Sequence, residues 1–358
     1  MRSGHAPDHL KSTVSRRVLM ETFEPRLLLS ADLFPIAGTI SMPGEEDSYQ
    51  ITFSEPARVS FDTLTPNELD WRLRGPGGVD IRGAMDRADG GSRSVPAVAD
   101  LARGTYTLTV GGSASQTGDY EFRINDLSDD PVLPMGAPTE VSMPRGTESF
   151  AWTFDAEAGQ RAALRFTEVS NAFDATVSIV SPTGAVLTSR NISNFVYDLP
   201  VTGTYILLAD GRIDRDAAAA FTVTATLSET LPRTYTPGTT ATDVLAKPGD
   251  VHVHAFNLAA DAQVVLSGVN GTAQPEWELR DASGRIAGTR LLPSGDAPLR
   301  IDLEAGAYWF VVKGFDLGTG EYSFALAADA AYAGTPSSVS DFAAAVGAEI
   351  SGTLTTAG

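Results

Sequence analysis

One pattern recurs three times in this chain at a spacing of about 100 residues, and that recurrence constrains the fold more than any single motif. Gly104-Thr105-Tyr106, Gly203-Thr204-Tyr205 and Gly306-Ala307-Tyr308 each open an alternating run. Upstream of them stand Asp47-Ser48-Tyr49, Glu148-Ser149-Phe150 and Asp250-Val251-His252, and Gly118-Asp119-Tyr120 returns as Gly320-Glu321-Tyr322. Three landmarks keep one order, so the chain reads as a tandem array of one domain. Residues 350–358 can be laid on 36–44, as if a fourth copy were starting. Repeats this long carry their own cores, unlike the short units of solenoids that must stack to be stable.

Within each copy the apolar residues alternate. Tyr49, Ile51 and Phe53, then Leu69, Trp71 and Leu73, then Tyr106, Leu108 and Val110 fall on every second position. Period two over many short runs means half-buried strands. Turns interrupt them at Gly75-Pro76-Gly77-Gly78, Ser181-Pro182-Thr183-Gly184 and Asp281-Ala282-Ser283-Gly284. The predicted fold class is all-β: three tandem antiparallel β-sandwich domains, jelly-roll-like, over 36–128, 137–229 and 238–329. A mostly disordered N-terminal tail occupies 1–34, linkers lie near 127–138, 228–239 and 329–345, and a truncated fourth repeat begins over 346–358.

The tail differs from everything after it. It holds His5 and His9 and shows no strand alternation, and Ser15-Arg16-Arg17-Val18-Leu19 has the outline of a twin-arginine export signal. Glu21, Glu24 and Arg26 then interrupt the apolar stretch such a signal requires; a short amphipathic helix ending before Pro25 is the other reading.

Composition excludes several functions. With Lys+Arg 26 against Asp+Glu 45, a net charge of −19 disfavours nucleic acid and anionic membranes as partners. The absence of cysteine removes disulfides, zinc-thiolate sites and thiol nucleophiles. No apolar run reaches the roughly 20 residues of a membrane span.

The order Asp-x-Tyr, Pro-x-Gly turn, Gly-Thr-Tyr, Gly-Asp-Tyr resembles the bacterial pre-peptidase C-terminal (PPC) domain over about 36–126, 137–228 and 238–328. That resemblance implies a β-sandwich of the kind appended to secreted proteases or arrayed in large exported proteins. The second copy departs from it at Ala217 to Phe221, where the Gly-Asp-Tyr glycine is missing. Phe23-Glu24-Pro25-Arg26-Leu27-Leu28-Leu29 is similar to the Leu-Glu-Pro-Arg-x-Leu-Leu (LEPR-XLL) element near the N-termini of very large bacterial surface proteins, with Phe23 in place of its first Leu. It implies an extracellular or cell-surface location and further domains of the same polypeptide, and no chemistry.

Few residues could carry a reaction. A Ser-His-Asp triad would need His252 or His254, both confined to the third copy. Asp250, His252 and His254 alternate along one strand, so all three point to one face and form a candidate metal trio. The repeat supplies a check: they align with Asp47, Tyr49 and Ile51 and with Glu148, Phe150 and Trp152, which places the histidines where other copies hold apolar core residues. Calcium, which needs six to eight oxygens, is the one cofactor left open, at Asp47, Glu148 and Asp250 with loop carboxylates such as Asp119 and Glu321; solvated strand-edge carboxylates are the competing reading. Trp309 runs out of phase with Tyr308 and Phe310, which makes it the candidate exposed ligand contact. No catalytic residue is assigned. The chain is expected to be non-enzymatic: a spacer, adhesive or ligand-binding array for an extracellular protein or polysaccharide. The alternatives are substrate-holding domains of a secreted hydrolase whose catalytic domain lies elsewhere, or a calcium-dependent carbohydrate- or collagen-binding module.

Overall fold

The computed structural model describes residues 33–85, 97–111, 116–214, 217–233, 235–290 and 298–328. The expectations for the N-terminal tail and its leucine-rich element, and for the fourth repeat, lie outside the described residues.

Strands make up 65% of the structure and helix 3%, against the less than ~10% helix that period-two patterning predicts. The first copy comprises β1 (Leu33–Ile40), β2 (Glu46–Phe53), β3 (Ala57–Thr63), β4 (Asp70–Arg74), β5 (Asp80–Ala84), β6 (Ala97–Leu101), β7 (Gly104–Gly111) and β8 (Gly118–Asp126). The second comprises β9 (Pro138–Met143), β10 (Ser149–Ala156), β11 (Arg161–Ser170), β12 (Ala175–Val180), β13 (Val186–Asn191), β14 (Phe195–Asp198), β15 (Gly203–Gly211) and β16 (Ala219–Ser228). The third comprises β17 (Thr230–Arg233), β18 (Thr240–Leu245), β19 (Val251–Leu258), β20 (Ala262–Gly271), β21 (Pro275–Asp281), β22 (Ile286–Arg290), β23 (Leu299–Leu303), β24 (Gly306–Gly314) and β25 (Gly320–Ala328).

Each copy is two sheets. The leading sheet has the order β2-β7-β4-β5, then β10-β15-β12-β13, then β17-β19-β24-β21-β22. The trailing sheet has the order β1-β8-β3-β6, then β14-β11-β16-β9, then β18-β25-β20-β23. Between them lie three apolar cores built from the alternating residues: Tyr106, Leu108 and Val110 of β7 are fully buried, as are Tyr205 and Leu207 of β15 and Phe310 and Val312 of β24.

The Gly-x-Tyr landmark has a local cause. Tyr106, Tyr205 and Tyr308 each donate their hydroxyl to the carbonyl four residues upstream, on Ala102, Val201 and Glu304, at 2.8, 2.6 and 2.9 Å. This is the tyrosine corner of β-sandwiches, which ties a strand to the turn that feeds it. The preceding glycine is required: Gly104 and Gly203 sit at φ 148° and 147°, and a Cβ on Gly104 would lie 2.6 Å from Pro76 Cγ.

Two features depart from the sequence reading. The second linker contains a strand, β17, which pairs in parallel with β19, Thr230 to Arg233 matching Val251 to His254. The first linker does the same in miniature through a parallel bridge from Val132 to Thr153. Moreover, the copies are docked sheet on sheet. Arg58 of β3 donates to the carbonyls of Ser181 and Pro182, and Arg123 of β8 to Ser149 Oγ. Ala163 of β11 is fully buried and lies where a Cβ on Gly249 would fall, while Arg165 donates to the carbonyl of Leu317. At both junctions the trailing sheet of one copy covers the leading sheet of the next, so six sheets stack in one sequence.

Candidate functional site

The three copies are best compared at one place: the last strand of the trailing sheet, where its first aromatic meets the start of the first core strand. In the first copy Gly38 of β1 lies opposite Tyr120 of β8. In the second, Met143 of β9 lies opposite Ala219 of β16. In the third, Asp243 of β18 lies opposite Tyr322 of β25. Residues of the leading sheet close the slot from the other side.

In the first copy the slot holds two phenols. The Tyr49 and Tyr120 hydroxyls share a short hydrogen bond, and Tyr120 also donates to Asp47 Oδ2 at 2.6 Å. Burial, then the Asp47 carboxylate, pushes the Tyr120 phenol up. In the second copy the slot is an apolar plug of Met143, Trp152 and Ala219. Tyr-to-Ala at this position is offset by Trp152, which stands where the first copy has Ile51. Ala217 stands in the place of Gly118, so this last strand is not led by a glycine.

The third copy fills the slot with a polar network. His252 Nδ1 and His254 Nε2 each lie 2.8 Å from the Tyr322 hydroxyl, with both rings buried. Arg233, carried in by the parallel strand β17, lies 3.0 Å from His252 Nε2 and is paired with Asp243. Asp243 Oδ2 is 3.4 Å from His252 Nδ1.

A permanently charged guanidinium fixes the protons. Arg233 can only donate, so His252 Nε2 accepts and the proton of neutral His252 sits on Nδ1, directed at the Tyr322 oxygen. Tyr322 then donates to His254 Nε2, which leaves the His254 proton on Nδ1, a buried atom with no hydrogen-bond partner. The chain runs one way, from arginine through histidine and tyrosine to histidine.

Burial, reinforced by Arg233, lowers the His252 pKa. Burial, then the adjacent His252, lowers that of His254 to about 4. Both rings are neutral near pH 7. Burial works against ionising Asp243, but the Val244 N–H and then Arg233 outweigh it, so its carboxyl titrates below the usual range. Burial also raises the Tyr322 phenol. An open groove of about 750 Å³, lined by Thr242, Asp243, Asn270, Glu321 and Tyr322, leads to this network from outside.

The structure brings His252 and His254 together but not Asp250. That carboxylate accepts from the backbone N–H of Lys247 at 2.8 Å and of Glu229 at 3.4 Å, closing the turn before β19. It is 3% exposed, so it is not a solvated strand-edge group. Among the described residues no three His, Cys, Asp or Glu side chains converge as a metal site would need. Asp47 is engaged with Tyr120, so the recurring acidic position does a different job in the first copy.

Trp309 also departs from expectation. It leaves its own core, as its phase predicts, but is 1% exposed, because its face, shared with Val251, Val253, Ala255 and Val311, is sealed at the second junction. The partners that sequence reasoning missed are Arg233 and Asp243. Arg233 lies in the stretch that the sequence reads as a linker, and Asp243 is conspicuous only once β18 is paired with β25, where its counterparts are Gly38 and Met143.

No protein-family model matches this chain, and no curated protein matches it. Among solved structures it is similar to the pre-peptidase C-terminal domain of a collagenase from Bacillus anthracis, at 21% identity and a TM-score of 0.24, covering 28% of this chain and 95% of that one. It is also similar to PliG, a periplasmic inhibitor of g-type lysozyme from Aeromonas hydrophila, at 17% identity, TM-score 0.24, covering 27% and 94%. A third likeness is to the CUB1-EGF-CUB2 region of human MASP-1/3, at 10% identity, TM-score 0.19, covering 53% and 99%. At these scores the likenesses carry no argument about activity, ligand or partner. Among the described residues no helix is long and apolar enough to cross a membrane.

Proposed function

We propose that this chain is a non-enzymatic spacer: a stack of β-sandwiches that holds other parts of a large exported or surface bacterial protein at a set distance and orientation. The observation that carries the reading is the pair of buried junctions. Sandwiches joined only by linkers would swing freely, whereas sheet faces buried against one another resist bending. The first junction combines an apolar cluster of Leu127, Val180, Ile206 and Leu208 with hydrogen bonds from Arg58 to the Ser181 and Pro182 carbonyls and from Arg123 to the Thr147 carbonyl and Ser149, so it also fixes orientation. The second combines the apolar face of Trp309, Val253 and Val311 with hydrogen bonds from Arg161 to the Gly249 carbonyl, Arg165 to the Leu317 carbonyl and Asn194 to Asp316. The resemblance of the repeats to pre-peptidase C-terminal domains supports an extracellular setting.

Small-angle X-ray scattering on the chain tests this. A single rod-like particle is expected, and Ala163→Arg, which forces a charge into the second junction, should broaden the distance distribution. A broad distribution for the unaltered chain would refute the stiff spacer. The groove beside Tyr322 favours a second reading, in which the third sandwich holds a small polar ligand or a saccharide end for a hydrolase. Saccharide binding abolished by Thr242→Trp, with the fold intact, would support it.

A further inference from the structure

Two strands of the first sandwich carry a charge arrangement that the equivalent strands of the other two do not. Asp70, Arg72 and Arg74 of β4 alternate with the buried Trp71 and Leu73 and so point outward, and the ladder sets Arg72 directly opposite Arg82 of β5, and Arg74 opposite Asp80. Two guanidiniums therefore stand side by side. Like charges directly opposed across a sheet are destabilising, and Asp80 offsets only part of this: it is paired with Arg72 and lies 4.0 Å from Arg74 Nε. Arg82 is exposed and makes no ion pair among the described residues.

The other copies show that the frame does not require such a pair. In the second sandwich the place of Arg72 is taken by Ser178, opposite Ser189, and in the third by Glu278, opposite Thr289. Glu278 is answered by Arg280 at 2.6 Å and Lys313 at 3.0 Å. Only the first copy opposes two like charges here, so the fold does not explain them.

Around the pair lies an open groove of about 450 Å³, within the range of small-ligand sites. Arg72, Arg74 and Arg82 line one end and Glu46 and Asp70 the other, with Thr109 beside Arg72 across the ladder. Trp71 and Gly83 also line it, and the Trp71 indole N–H has no hydrogen-bond partner. Charged donors thus collect toward one end, carboxylate acceptors toward the other.

We propose that this groove binds a saccharide bearing a carboxylate, of the uronic acid type. A planar carboxylate fits a guanidinium fork through two parallel hydrogen bonds, and Arg82 is the fork left to take it. Sugar hydroxyls donate to Glu46 and Asp70 and accept from Thr109. The same two carboxylates reject competitors. A densely charged polyanion, such as nucleic acid or a sulfated chain, meets Glu46 and Asp70 within the groove and a net charge of −19 beyond it, whereas a neutral sugar leaves Arg82 unanswered. Such a site uses neither junction, so it stands or falls independently of the spacer, and it lies on a different sandwich from the groove beside Tyr322.

Calorimetric titration of the chain with a short oligogalacturonate tests this, with the fully methyl-esterified oligomer and dextran sulfate as controls. The oligogalacturonate should bind, and esterification, which removes the charge and keeps the ring hydroxyls, should weaken binding by about tenfold or more, the equivalent of one lost charge-assisted hydrogen bond. Arg82→Glu separates a binding site from a chance cluster. It turns a like-charge pair into an opposite-charge pair, so it should abolish binding while the melting temperature stays the same or rises. No binding of the oligogalacturonate, binding that survives Arg82→Glu, equal binding of the ester, or tighter binding of dextran sulfate would each overturn the proposal. If Arg82→Glu does not fold, Arg82→Gln, which removes the charge at an exposed position, carries the same expectation of lost binding.

Discussion

The second and third sandwiches share strand order, tyrosine corner and turn chemistry, yet fill one slot in opposite ways. Met143, Trp152 and Ala219 close it in the second; Asp243, His254, Tyr322 and Arg233 close it in the third. Since the apolar plug suffices for the fold, the polar network is not a folding requirement. Burying a neutral histidine with an unpartnered N–H costs about 1–3 kcal/mol, and the second sandwich avoids that cost entirely. The difference teaches that the slot is a variable site within a constant frame.

The comparison can be broken hardest at the plug. Trp152→Ala should destabilise the second sandwich by about 3–5 kcal/mol, because Ala219 opposite leaves nothing to collapse into the void. Hydrogen exchange resolved by sandwich should show the loss confined to 138–228. Equal loss in the third would mean that the stack unfolds as one unit.

Acid should separate the two sandwiches next. Below about pH 6.5 unfolded His254 binds a proton that the folded ring refuses until about pH 4, so the unfolded state holds more protons and stability falls as pH falls through that window. The loss by pH 4 is about 3 kcal/mol from His254, with His252 adding in the same direction. The second sandwich has no histidine and should lack this window. A pH-independent third sandwich between 7 and 4 would contradict the buried neutral assignment.

Tyr322→Phe should cost about 2 kcal/mol by stranding His252 Nδ1–H and His254 Nε2 together. At the equivalent position of the second sandwich, Ala219→Tyr meets Met143 and Trp152 rather than histidines and should not reproduce the pH window. A smaller effect, about 1 kcal/mol, is expected from Asp250→Ala, which frees the two N–H groups of the turn. The smallest is calcium: millimolar concentrations should leave the melting temperature of the chain unchanged, and a rise of several degrees abolished by Asp250→Ala would restore the calcium-dependent reading.

Much of the frame was legible. Tyr106, Leu108 and Val110 fall inward because side chains alternate along a strand, and that parity needs no tertiary information. Repetition placed His252 and His254 at core positions, and both are buried there. The site's other half was not legible. Arg233 reaches His252 only because a linker residue joins a sheet in parallel, and Tyr322 lies 70 residues beyond His252 in sequence.

What the amino-acid order determined by itself is everything set by local geometry: strand parity, the glycine and tyrosine of each corner, the turns, and the number of sandwiches they imply. Tertiary structure alone decided which outward faces are wet. Alternation predicts that Trp309 points away from its own core, and it does; whether that direction leads to water depends on Ala163 and its neighbours arriving from another sandwich. It also decided what the Asp250 carboxylate binds, since the backbone N–H groups of Lys247 and Glu229 both donate to it. Period two reports orientation relative to one sheet, and burial is a sum over every surface that approaches it.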